Sequence, residues 1–105
     1  MSRQEKPMLE DKLKGMIGLA RRAGRLGCGS VAVEKCLNSG KCTLVLIDEA
    51  ASANTLEAFT KQSRFANVPI RLLPQGLLEK SLGEYRMCAA VSDENFSKQM
   101  LKYID

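Results

Sequence analysis

The chain has no histidine, no tryptophan, and only two tyrosines and three phenylalanines in 105 residues. Without histidine it lacks the side chain that most often serves as general base and metal ligand near neutral pH. No apolar run approaches the roughly 20 residues needed to cross a bilayer. The opening segment, MSRQEKPMLEDK, is polar and mixed in charge, with no apolar core of an export signal. A cytoplasmic location and no membrane partner are therefore expected. Cys28, Cys36, Cys42 and Cys88 form no Cys-x-x-Cys pair, so the usual zinc spacings are missing. No metal and no cofactor is expected, and the thiols read as reduced small hydrophobes, Cys36 on an apolar helix face and Cys88 inside a strand.

The length suits one domain with a core that needs no covalent staple. Residues 1 to 7 read as a flexible tail and residues 8 to 105 as a single domain. Net charge is +4, and residues 1 to 25 carry all of it, with Arg3, Lys6, Lys12, Lys14, Arg21, Arg22 and Arg25 against Glu5, Glu10 and Asp11. A localised basic region suits a polyanion, because neutralised phosphates release counterions.

Apolar residues at helical spacing (Leu9, Leu13, Met16, Ile17, Ala20) predict a first helix over about 8–23, with Gly24 just past its end. Arg25 to Cys28 is a short extended piece. Ser30 is the expected cap of a second helix carrying Val33, Cys36 and Leu37, stopped by Asn38 to Gly40. The run Thr43 to Ile47 predicts a strand buried on both faces. A turn over Asp48 to Ala51 leads to a third helix from Ser52 or Asn54 that buries Leu56 and Phe59, and Asn67 ends it. Val68 to Leu73 is a strand with Pro69 near its start or at an edge. A short helix closed by Gly83, a strand over Arg86 to Val91, and a last helix capped by Ser92 or Asp93 complete the chain. Alternating helices and strands predict a three-layer α/β/α sandwich around a mixed sheet of about four strands.

Three segments feed one end of such a sheet: Gly27 to Ala32, Asp48 to Ala51, and Gly83 to Arg86. Gly29 and Ser30 open a helix whose free amides suit a phosphate, with Lys35 about one turn further on. Catalysis is a weaker reading. Asp48 and Glu49 are the only acidic pair after a buried strand, and neighbours on a strand point different ways. Cys28 has no base, and Gly27-x-Gly29 lacks the third glycine of a dinucleotide fingerprint.

The blocks Ile17 to Ser52, Asn54 to Phe59, Asn67 to Ile70 and Leu82 to Leu101 together resemble the ribosomal protein L7Ae/L30e superfamily, in particular its small bacterial YlxQ-like members. The resemblance implies an L30e-like sandwich that binds structured, kink-turn-like RNA or associates with the ribosome, without catalysis and as a monomer, with no DNA specificity. Family kink-turn binders open the second helix with a Gly-Thr-Asn-Glu type motif and place a lysine three residues later. Here that window reads Gly29, Ser30, Val31, Ala32 and then Lys35, so the Asn-Glu pair is apolar. The resemblance also implies RNA contacts at Asp48, Glu49, Ala50 and Ala51, and at Gly83, Glu84, Tyr85 and Arg86. Val31 and Ala32 offer no directional hydrogen bonds to base edges, so altered specificity is expected. The other reading is a protein-interaction adaptor that has kept the fold.

Overall fold

A computed structural model describes residues 8–105; the expected tail, residues 1–7, lies outside the described residues. Five helices and four strands alternate as α1 (Glu10–Arg22), β1 (Leu26–Cys28), α2 (Ser30–Ser39), β2 (Leu44–Asp48), α3 (Ala53–Phe65), β3 (Ile70–Leu73), α4 (Leu77–Leu82), β4 (Cys88–Val91) and α5 (Glu94–Ile104). The strand order is β1-β4-β2-β3. β4 runs antiparallel to both β1 and β2, while β2 and β3 are parallel, so the sheet is mixed as expected.

Strand alternation divides the core. Leu44, Leu46, Ala89 and Val91 face Leu13, Ile17, Ala20, Leu78 and Met100 of α1, α4 and α5. Val45, Ile47, Cys88 and Ala90 face Val33, Leu37 and Phe59 of α2 and α3. All five residues of β2 and all four of β4 are buried, which explains the unbroken apolar runs. Each fully buried aliphatic side chain contributes about 1.5–3 kcal/mol.

Left-handed residues end two of the long helices in the same way. After α1, Gly24 (φ 74°) lets its own amide reach Arg21 O and the Arg25 amide reach Ala20 O, at 3.0 and 2.8 Å. After α3, Asn67 (φ 63°) bonds Arg64 O at 3.1 Å and the Val68 amide bonds Ser63 O at 2.8 Å. Both are Schellman closures, in which glycine or asparagine tolerates the positive φ. α3 is capped by Ser52, which accepts from the Thr55 amide, and α5 by Asp93, which accepts from the Phe96 amide.

Some boundaries differ from expectation. Ser30 is not the cap of α2: that position belongs to Gly29, whose φ of 95° and ψ of 165° suit only glycine, and Ser30 is the first helical residue. β4 begins at Cys88, leaving Arg86 and Met87 in the preceding loop, and β3 begins at Ile70, after Pro69, on the sheet edge.

Asp48 was expected in a turn and is instead the last, buried residue of β2. Its carboxylate accepts from the Ala50 amide at 2.7 Å and the Gly76 amide at 2.9 Å, tying the β2–α3 turn to the start of α4. Asn in its place keeps one acceptor oxygen and turns an NH2 toward the other amide. Asp48→Asn should therefore lower the unfolding free energy by about 2 kcal/mol, the scale of hydrogen bonds to a charged group. Urea unfolding checks this; an unchanged midpoint would contradict the assignment.

Candidate nucleic-acid interface

Because β4 runs against both of its neighbours, its start lies beside the ends of β1 and β2. The Gly29 amide bonds Cys88 O at 2.9 Å, and the Asp48 amide bonds Met87 O at 2.8 Å. The three segments singled out in the sequence, 27–32, 48–51 and 83–86, therefore converge on one end of the sheet.

The two glycines of the elbow have different physical reasons. At Gly27 a Cβ would come within 3.1 Å of the Ala32 Cβ, so glycine lets β1 lie close against α2. At Gly29 a Cβ meets only the Arg86 Cδ at 3.9 Å, an ordinary contact, and the backbone conformation itself demands glycine. Neither requirement involves a nucleotide.

The N-terminus of α2 keeps free amides, though not that of Gly29, which bonds Cys88 O. The first helical bond runs from the Val33 amide to Gly29 O at 3.0 Å. Ser30, Val31 and Ala32 then lack intrahelical acceptors, no side chain caps them, and the first turn holds no acidic residue. Burial pushes the Cys88 thiol up, partly offset by the neighbouring Ser30 side chain. Val31 is 72% exposed and Tyr85 59%, so two apolar surfaces stand out at this end. Ala32 is half-buried under Gly27. Lys35 follows Val31 by four residues and so lies one turn behind it, on the side of Val31 and not of Ser30.

Cationic groups surround the elbow under the control of one carboxylate. Arg21 donates to Leu82 O at 2.9 Å and pairs with Glu84, while Arg86 approaches the other Glu84 oxygen at 3.4 Å. The hydrogen bond from Arg21, then the charge of Arg86, hold the Glu84 carboxyl below its ordinary range. Arg86 also donates to the Tyr85 carbonyl at 2.9 Å, which fixes the loop. Arg21 was not among the sequence-derived site residues, since its partner lies 63 positions away.

Two candidates do different work from that expected. Asp48 is buried and its two oxygens are engaged by backbone amides, so it shapes the edge from beneath; Glu49, exposed, accepts from the Gln75 amide at 3.3 Å. Ala50 is exposed and Ala51 is buried. Burial pushes the Cys28 thiol up, only partly offset by Arg21 and Arg86, so it stays protonated at neutral pH, the wrong state for a nucleophile.

No family model matches the chain. It is 32% identical over 92 residues to the RNA-binding protein YlxQ of Bacillus subtilis (strain 168), an alignment covering 86% of this chain and 92% of that protein. The chain belongs to the YlxQ family. A second YlxQ RNA-binding protein, from Enterococcus faecium, is 27% identical over 95 residues, covering 90% of this chain and 92% of its own length. Among solved structures, a protein of unknown function from Bacillus halodurans C superposes with a TM-score of 0.84 at 27% identity, covering 90% of this chain and 97% of that one. The Giardia lamblia 15.5kD RNA binding protein superposes with a TM-score of 0.74 at 15% identity, covering 95% and 90% respectively, and at that identity it speaks for the fold alone. The architecture of this YlxQ-family chain is the L7Ae/L30e-like sandwich that the sequence resembles. Both YlxQ relatives carry the name of a binding protein and not of an enzyme.

Glu84→Gln should free Arg21 and Arg86 for an anion and remove one opposing charge. The variant is expected to elute from heparin at higher salt than the parent. Since the folded Glu84 pKa is depressed, the carboxylate persists well into acid and the parent should approach the variant only as pH falls through that lowered value. Earlier elution of the variant at neutral pH would contradict the clamp.

Proposed function

We propose that this chain binds structured RNA through the sheet end built from the N-terminus of α2, the residues after β2 and the Gly83 to Arg86 loop. The observation that carries the reading is the juxtaposition of the uncapped amides of Ser30, Val31 and Ala32 with Arg21 and Arg86. Amides and guanidinium groups hold phosphate oxygens and so fix the position of an RNA without reading its sequence. The names of the two YlxQ relatives support RNA as the ligand class.

The finer reading concerns specificity. A kink-turn-like RNA, free or within the ribosome, presents unstacked bases beside a bent backbone, and exposed Val31 and Tyr85 offer apolar surfaces for such bases. Neither Val31 nor Ala32 supplies a donor or acceptor from its side chain, so base-edge selectivity is altered and backbone affinity is retained. The protein acts in this reading as a cytoplasmic monomer without catalytic chemistry. Exposed Val31 and Tyr85 favour one competing reading, an adaptor whose partner is a protein; its binding survives nuclease and ignores salt.

Affinity for structured RNA should fall steeply as salt rises. Arg86→Ala should weaken binding across RNA sequences and reduce the slope of log affinity against log salt by about one. Fluorescence anisotropy at several salt concentrations measures both, and affinity independent of salt would overturn the proposal.

A further inference from the structure

At the end of the sheet opposite the elbow, the C-terminal turns of α2 and α3 come together. The ends of these helices lead into the starts of β2 and β3, which lie side by side through the Val45 and Ile70 pairing. Between them is a groove of about 570 Å³ lined by Leu37, Asn38, Gly40, Lys61, Gln62, Phe65 and Ala66. Phe65 is 94% exposed, the most exposed large apolar side chain among the described residues. The Asn67 closure of α3 fixes the backbone directly after it, so the ring sits on an ordered helix end.

Charge and polarity around the ring narrow the choice of occupant. Lys61 lines the groove, and Arg64, exposed, precedes Phe65. An adjoining groove that shares Asn38 is lined by Lys35, Cys36, Ser39, Lys41 and Ser92. Among the described residues no acidic side chain lines either groove; Glu57 touches Lys61 at 3.7 Å through an exposed pair that holds it weakly. A second copy of the chain seated here would bring like charges together. A flat ring, two carboxamides and a cationic rim instead match a single-stranded polyanion whose bases are free to stack.

Resting on the RNA reading above, we infer that this α2–α3 corner is a second RNA contact, at which an unpaired base stacks on Phe65 while Lys41, Lys61 and Arg64 hold the flanking phosphates. Lys35 stands on α2 between Val31 and Lys41, so the exposed side of that helix links the elbow to the corner. The RNA this protein takes therefore carries an unpaired segment beside its structured element. Stacking tolerates any base, so the corner adds affinity and leaves sequence choice to the elbow.

The test uses two RNAs, a stem-loop with an internal kink and the same molecule extended by about ten unpaired adenosines, a length within the span of one single-strand site. Phe65→Ala should lose about tenfold in affinity for the tailed RNA, as expected for one stacked base, and nothing for the tailless one. Phe65→Trp should keep the parent's affinity, and its indole, the only tryptophan in the chain, should be quenched by the tailed RNA alone. Parent and Phe65→Ala binding both RNAs equally well would overturn the corner while leaving the elbow intact. Indole emission that changes with protein concentration in the absence of RNA would also overturn it, by marking a contact between copies. If the parent binds neither RNA, the RNA reading falls and the corner falls with it.

Discussion

The antiparallel placement of β4 between β1 and β2 is the constraint on which the site depends. The carbonyls of Met87, just before β4, and of Cys88, its first residue, take the Asp48 and Gly29 amides, which pins the ends of two other strands to one point. The N-terminus of α2, the turn after β2 and the loop before β4 then share one end of the sheet because of hydrogen-bond register. No contact among their side chains is needed to gather them. Asp48 extends the same logic from beneath, using its buried carboxylate to hold the turn and the start of α4.

On that frame the proposed interface is assembled from groups whose local structural duties are already met elsewhere. Gly29 gives its amide to the sheet, and its unusual conformation opens the helix, leaving the next three amides without an intrahelical acceptor or a side-chain cap. Glu84 holds two arginines at the rim, and their guanidinium groups are exposed enough to exchange a carboxylate for a phosphate. Such exposed ion pairs stabilise a fold little, so their exchange for a ligand costs little stability. The opposite end of the molecule has a different character, with Phe65 standing on the Asn67-closed end of α3.

The order of the elements was legible in the sequence because their signals are local. Helical spacing in α1 and α5, the continuous apolar runs of β2 and β4, and Gly24, Gly40 and Gly83 after their helices mark each element within a few residues. The convergence of the three segments was legible only through the expected architecture. What the sequence hid depends on long separations: the Arg21–Glu84–Arg86 cluster joins residues more than 60 apart, and the Asp48 bond to Gly76 spans 28. Ser30 looked like the cap because serine suits that position, but close packing of Gly27 on Ala32 and the glycine-only conformation at Gly29 moved the helix start by one residue. Phe65 lies off the face that Leu56 and Phe59 set on α3, and nothing local marks what an exposed aromatic there would touch.

The proposed RNA contact depends on the uncapped amides at the start of α2. An amide-resolved NMR titration of the chain with a kinked stem-loop RNA tests it most directly. The resonances of Ser30, Val31 and Ala32 are expected to move, together with those of Tyr85 and Arg86, while those of α4 and α5 stay in place. Binding that shifts α4 and α5 and leaves Ser30 to Ala32 unmoved would contradict it.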